Sequence, residues 1–444
     1  MLSVGFTSAM LDYDSMKRVV SNTSTGAKGF GPADYVKITI FGFALAALWG
    51  SLHTIIIQLR LLDFVADTQK NTYLGLLTGT GLILAMVVQP IAGAISDRSG
   101  FGWGRRRPYI LLGTILAILL LPGIGLCGSY LTLFITYCLL QVSSNTAQGP
   151  YQAFIPDLAP EGKRGLASGV KALLEFMGGL VVVRLIAYLM DRYLTEQGGP
   201  WLGYTLAILG IALLGTMLAT ILTVKERPGA GGPKLPLLPT LYRSFKLNIK
   251  SNRDFIWFLV SRLLIFMAFS TLQKFALYFL MDVVGITSPA AVTTDLLIII
   301  GACMLATVYP AGRLSDKIGR KLIVVSSGLV SALGIMLLLF SQSHGYIMLC
   351  GALLGFSFGA FMSTNWALAT DLVAKGEEGR YLGLTNLATA GGSALTLCII
   401  GPVIDLFNAY GPGLGYQVMF LVCFICLIAG SLLVLKIKGQ AQLG

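Results

Sequence analysis

Twelve runs of about twenty mostly apolar residues divide the chain, at roughly 37–62, 71–95, 108–127, 130–153, 166–190, 201–224, 255–281, 293–311, 322–340, 346–370, 382–404 and 416–437. A run of that length matches the hydrocarbon thickness of a bilayer when coiled as an α-helix. Hydrocarbon offers no water to a backbone N–H or C=O, and a helix satisfies both within its own segment. The runs therefore predict an all-α, polytopic membrane protein. Composition excludes the other classes. Only 12% of the 444 residues are charged, against about 25% in soluble domains. A soluble enzyme, a disordered chain and a nucleic-acid binder are excluded together, although the formal net charge is +12.

That positive charge is distributed in a way that encodes orientation. Lys and Arg crowd alternate loops, while Arg60, Lys70 and Arg192 are the three on the opposite side. The bias predicts that both termini face the cytoplasm of a cell whose cytoplasmic membrane the chain spans. Residues 1–34 are polar and mixed, with no apolar stretch of signal-peptide form, and are expected to be a cytoplasmic tail. The Asn22-Thr23-Ser24 sequon then faces the wrong side for glycosylation. The seven cysteines lie inside apolar runs, as small buried residues and not as a disulfide framework. Cys423 and Cys426 have C-x-x-C spacing but no His or carboxylate nearby.

A Pro- and Gly-rich segment, 225–254, splits the runs six and six. The expected organisation is a tail at 1–34, a six-helix bundle at 35–224, a cytoplasmic linker at 225–254, a second bundle at 255–437 and a short tail at 438–444. The halves repeat. Gly93, Asp97 and Arg98 precede Arg105-Arg106-Arg107 after the second run, and Gly312, Arg313 and Asp316 precede Arg320-Lys321 after the eighth. Asp97 and Asp316 stand 219 residues apart. Asp157, followed by Arg164, is echoed 214 residues later by Asp371, followed by Arg380. Two six-helix halves in parallel repeat predict a central cavity and a rocking motion of one half against the other.

The doubled loop cluster resembles the Gly-x-x-x-Asp-Arg/Lys-x-Gly-Arg-Arg/Lys signature of the major facilitator superfamily, and the resemblance covers the whole chain. The stretch from Gln89-Pro90 to Pro108-Tyr109, and Asn145-Thr-Ala-Gln148-Gly149-Pro150 with Asp157, are similar to the sucrose transporter and glycoside–cation symporter branch. The resemblance implies a conformational latch made of Gly93, Asp97, Arg98, Arg105, Arg106, Asp157, Arg164, Gly312, Arg313, Asp316, Arg320, Asp371 and Arg380. Its carboxylates would cap a facing helix and its arginines would pair with acids such as Asp157. It also implies that runs 1, 4, 7 and 10 line the cavity, which places His53, Gln58, Asn145, Gln148, Gln152, Arg262, Gln273, Lys274, Asn365 and Trp366 near a solute. Two features of the branch are missing. Gln141 and Gln152 occupy positions where it carries an acid and an arginine.

Ionisable groups inside a span are costly, at about 2.5–3.5 kcal/mol each at a helix centre, and so are functional candidates. They include His53, Lys171, Glu175, Arg184, Arg262 and Lys274. Lys171 and Glu175 share a helical face. Glu175 and His53 are the candidates for proton coupling. Arg60 has a snorkelling role open to it beside Asp63, and Trp366 has a packing role as well as a stacking one. The excess of cations over carboxylates in the spans pulls toward an anionic solute. The chain carries no G-x-x-x-x-G-K-[ST], no Cys/His metal spacing and no H-E-x-x-H. Catalysis, an ATP fuel, a resident cofactor and a metal are not expected. The expected function is secondary transport of a sugar or glycoside, coupled to H+, by a monomer in the bilayer. Two alternatives stay open: an organic-anion transporter or exchanger, and a transport-inactive relative that holds a lipid or pigment or scaffolds a membrane complex.

Overall fold

The computed structural model describes residues 30–196, 198, 200–226, 252–340, 343–372 and 378–437, with the backbone alone at 378–383. The linker and both tails lie almost wholly outside these residues, as does the side chain of Arg380. Twelve long helices follow one another: α1 (Pro32–Leu61), α2 (Lys70–Asp97), α3 (Arg107–Leu126), α4 (Tyr130–Gln152), α5 (Arg164–Thr195), α6 (Trp201–Thr223), α7 (Arg253–Asp282), α8 (Pro289–Ile318), α9 (Arg320–Leu338), α10 (His344–Asp371), α11 (Glu378–Asn408) and α12 (Leu414–Val434). No strand occurs among the described residues. Several helices outrun their apolar runs by a turn or two, because the polar ends project past the hydrocarbon.

Among the described residues, eleven of these helices are long and apolar enough to cross a membrane. The other, α4, has 23 residues, a length of about 35 Å. It is more polar because its buried side includes Gln141, Ser143, Ser144 and Asn145. Those are groups that a lipid-facing helix could not carry.

Helix α1 packs on α5 and α6, α2 and α3 pack on α4, and α3 packs on α6. In the second half α8 and α9 pack on α10, and α7 and α11 pack on α12. The halves meet along α2 with α11 and along α5 with α8. Close approach at the first seam depends on glycine. A Cβ on Gly75 would fall 2.1 Å from the Leu397 carbonyl oxygen, and one on Gly401 would fall 2.3 Å from that of Asn71. Small residues at helix contacts in lipid permit such packing. Gly75→Leu should therefore separate α2 from α11. The expected result is a fall in the thermal midpoint of the detergent-purified protein by several degrees and a loss of solute counterflow above half. An unchanged midpoint would mean the seam is not set by this contact.

Two helices contain a π-turn, Leu52–Ile56 in α1 and Gly178–Val182 in α5. Such turns are frequently found at functional sites.

Candidate functional site

The α1 π-turn carries His53. Its Nε2 lies 2.8 Å from the Tyr137 hydroxyl on α4, and its ring stacks on Trp49 at 5.0 Å between centroids. Gln141, one turn from Tyr137, donates to that hydroxyl at 2.8 Å. Asn145, a further turn along, donates to Gln141 Oε1 at 3.0 Å. The result is a continuous line of imidazole, phenol and amides with no formal carboxylate in it. Gln141 completes it where the resembling branch has an acid. Gln58 is buried and spends its amide N–H on the His53 carbonyl, at 3.1 Å. It bonds the backbone around the π-turn and holds α1 to itself. Gln148 is half-buried and Gln152 exposed, toward the far end of α4.

In the second half Arg262 is 3% exposed. Its Nε donates to Thr389 Oγ1 at 2.8 Å and its Nη1 donates to Asn365 Oδ1, so one side chain ties α7 to α11 and α10. Its guanidinium also lies 4.8 Å from the Phe266 ring centroid and 5.8 Å from that of Trp366, which is 42% exposed. Lys274 lies in the same helix as Arg262 and is half-buried. No acidic side chain among the described residues lies within ion-pair distance of it.

Two cavities share Gln273 and Leu297 in their walls. One, of 410 Å³, sits wholly within the second half and is walled by phenylalanines, including Phe266, Phe269 and Phe358. The other, of 270 Å³, lies between the halves and is bordered by Thr54, Glu175 and Thr294. Glu175 keeps a 3.6 Å ion pair with Lys171. Lys171 also lies 5.5 Å from the centroid of the Tyr151 ring.

The repeated loop clusters form one clamp in each half. Arg106 bridges Asp97 at 2.6 Å and Asp157 at 2.5 Å, and Arg105 adds a contact to Asp157 at 2.8 Å. Arg320 bridges Asp371 at 2.5 Å and Asp316 at 3.7 Å. Gly93 faces Gly149, and Gly312 faces Ser363, which is the same contact repeated. Arg164 donates to the Pro156 and Ala159 carbonyls. Arg313 lies over the Tyr309 ring. Each clamp thus closes within its own half, between the end of α2 or α8 and the end of α4 or α10.

The polar contacts between halves lie at the opposite end. Asp405 of α11 accepts from the Thr72 N–H at 2.7 Å and from Asn71 Nδ2 at 2.8 Å, capping the first turn of α2. Asp191 of α5 accepts from the N–H groups of Ala290 and Ala291, at 3.0 and 2.9 Å, capping the first turn of α8. A helix leaves those N–H groups unpaired and carries positive potential there, so each carboxylate satisfies both. Asp191 and Asp405 are 214 residues apart, and Thr72 and Ala291 are 219 apart. Those are the spacings of the clamps, and the caps are related by the same repeat. Lys70 adds an ion pair with Asp282 at 2.7 Å, and Arg184 one with Asp295 at 3.2 Å. The Tyr278 hydroxyl donates to the Gln58 carbonyl at 2.7 Å. Arg184 thereby belongs to this seam, as a tie to α8.

The sequence reading missed Tyr137, Trp49, Asp191 and Asp405. For the two carboxylates a signal existed, since they repeat at the offset already found for Asp157 and Asp371. For Tyr137 none did, because 84 residues separate it from His53.

Known proteins resemble this chain along most of its length. A family profile described as MFS/sugar transport protein matches residues 39–439. Sucrose transport protein SUT1 of Oryza sativa is 29% identical over 188 residues, 35% of each chain. The chain thus spans about a third of the length of these rice relatives. The uncharacterized symporter YnaJ of Bacillus subtilis is 28% identical over 354 residues, 73% of each chain. The lactose permease of Lactobacillus helveticus is 23% identical over 367 residues, 77% of this chain and 57% of that one. These relatives are transporters by name, not enzymes. Among solved structures, the nucleoside transporter NupG superposes with a TM-score of 0.71 at 13% identity, covering 91% of this chain and 99% of that one. A D-xylose–proton symporter superposes at 0.70 and 16% identity, covering 93% of this chain and all of that one. At such identities the superpositions show a shared fold.

Proposed function

Because the chain belongs to the MFS/sugar transport protein family, we propose that it is a secondary transporter that moves a sugar or glycoside across the cytoplasmic membrane by alternating access. The halves at 35–224 and 255–437 are the moving bodies, the termini face the cytoplasm, and the working unit is a monomer. One observation carries the reading. Among the described residues the polar ties between halves gather at one end, while the clamps at the other end close within each half. Such a molecule is fastened on one side and free to part on the other. In this reading Asp97, Arg106, Asp157, Asp316, Arg320 and Asp371 keep each half rigid. Arg98, Arg105, Arg164, Arg313 and Arg380 supply the surrounding positive loop, and Gly93 and Gly312 the close packing.

The solute contacts are His53, Asn145, Gln148 and the more exposed Gln152, Gln273 and Trp366. Amides and hydroxyls in a buried site match sugar hydroxyls, and a solute without them would leave those groups unpaired. Gln58, Asn365 and Arg262 support these contacts from behind. Glu175 borders the cavity between the halves and is the proton-coupling group, with His53 the other candidate. Uptake of labelled sugar into proteoliposomes tests both levels. An inward proton gradient should stimulate uptake several-fold, and Glu175→Gln should remove that stimulation while leaving exchange of sugar for sugar. Uptake blind to the gradient in the unaltered protein would remove the coupling. No uptake of any sugar would remove the transport reading.

A second reading has one observation in its favour. Lys274 is half-buried in α7 without an acidic partner among the described residues, and an unpaired ammonium attracts an anion. Thermal stabilisation by a sugar acid or sugar phosphate, lost in Lys274→Gln and not seen with the neutral sugar, would favour the anion.

A further inference from the structure

We propose that a cleft on the α5–α8 seam binds a membrane phospholipid, whose phosphodiester is held by Arg192, Thr287 and Ser288 and whose acyl chain lies along Val181, Leu185 and Tyr188. The cleft has a volume of 670 Å³ and is walled by both halves, with α5 on one side and Thr287, Ser288 and Ala291 on the other. It lies apart from the two cavities that share Gln273, and the inference stands whatever solute the protein moves.

One face of α5 forms the first wall. Val181, Leu185, Tyr188 and Arg192 follow at steps of four, three and four residues, so they line one side of a helix. All four are exposed, while Val183, Ile186 and Met190 on the other side are buried. From Val181 to Arg192 the face runs about 16 Å. It passes from apolar to cationic, in the order of chain and headgroup in a phospholipid.

The cationic end holds unspent donors. Among the described residues the Arg192 guanidinium donates no hydrogen bond, and the Thr287 and Ser288 hydroxyls have no partner. The carboxylates nearby are engaged. Asp191 caps α8, and Asp295 pairs with Arg184 at 3.2 Å. Glu196 accepts from the Trp201 indole N–H at 2.6 Å and stays 3.7 Å from Arg192. A guanidinium presents two parallel N–H groups that match a phosphate. Arg192 also lies 5.1 and 5.0 Å from the Tyr188 and Trp201 ring centroids, and such aromatic residues mark the headgroup level of a bilayer. A soluble phosphate would leave the apolar wall bare, whereas a lipid covers it. Arg192 belongs to the first half and Thr287 and Ser288 to the second. A phosphate touching all three ties the halves at the end that Asp191 already fastens, and so favours the fastened conformation.

The test uses the full chain, purified in a glycoside detergent and titrated with three compounds. Dioleoylphosphatidylglycerol has both parts, dioleoyl diglucosyldiacylglycerol has the chains without phosphate, and glycerol phosphate has the phosphate without chains. The thermal midpoint and the lipid retained in native mass spectrometry are read. Phosphatidylglycerol should be retained and raise the midpoint by several degrees, and the other two should do neither. Arg192→Gln should weaken its affinity by about tenfold or more. Thr287→Val with Ser288→Ala should weaken it several-fold from the other half, and carries the test if Arg192→Gln fails to fold. Ser288 makes no side-chain cap to α8, so its loss leaves the helix intact. An equal effect of the glycolipid overturns the phosphate contact. An equal effect of glycerol phosphate overturns the lipid as occupant. A phosphatidylglycerol response that survives both variants places the lipid elsewhere and overturns the site. Loss in Arg192→Gln alone leaves the lipid on the first half and overturns the bridge.

Discussion

Asp405→Ala is expected to open the end at which the two halves are tied, and to reduce solute uptake by about tenfold or more. The carboxylate accepts two hydrogen bonds from α2. Bonds to a charged group contribute about 1.5–3 kcal/mol each, and the helix terminus adds about 0.3–1 kcal/mol. Exposure to water on opening recovers part of that, so a net loss of about 3 kcal/mol is reasonable for the fastened state. That is roughly a hundredfold change in the balance between conformations. Asp191→Ala should behave alike at the other seam, and the double variant should add the two effects, since the caps share no partner. Spin labels at Asp67→Cys and Tyr410→Cys, on a background without the native cysteines, would report it. Both positions are exposed, one in each half. Longer and broader distances are expected in Asp405→Ala. Distances and uptake both unchanged would show that these caps do not hold the ends together.

Arg262→Met should disable the second half more severely than any other single change within a span. The guanidinium holds three helices at once, through Asn365, Thr389 and the Phe266 and Trp366 rings. Without it the Asn365 side chain, 0% exposed and already carrying an unpaired Nδ2, keeps no hydrogen bond at all. Such a buried amide costs about 1–3 kcal/mol, and the lost contacts add a similar amount. A fall of several degrees in the thermal midpoint and near-complete loss of counterflow are expected. Arg262→Lys keeps the charge but not the fork that spans both acceptors, and should recover stability more than transport. A stable and active Arg262→Met would show the knot to be dispensable.

How legible these arrangements were in the sequence depends on the range over which each is encoded. The helices are local. A run such as 416–437 has few polar groups and one stable form in lipid, so its helix could be read directly. The clamps were half legible: Asp97, Asp157, Asp316 and Asp371 stood out by repetition, but the sequence could not say that Arg106 and Arg320 would turn inward to their own half. Position along a helix does not fix what a side chain touches. Gln58 and Arg262 were placed beside the solute by helix number, whereas their side chains are consumed by His53, Asn365 and Thr389. The line from His53 to Tyr137 depends on the rotation of α1 about its axis, which a single extra residue in the π-turn sets, and no apolar period records it.

That extra residue has a consequence for motion. Were Leu52–Ile56 to relax into ordinary α-helical geometry, everything on one side of it would turn by about 100° about the axis of α1. His53 would swing off Tyr137 and away from Trp49, while the ends of the helix kept their places in the bilayer. The imidazole could then be presented and withdrawn by winding one turn of one helix, a small screw-like adjustment nested inside the larger seesaw of the halves.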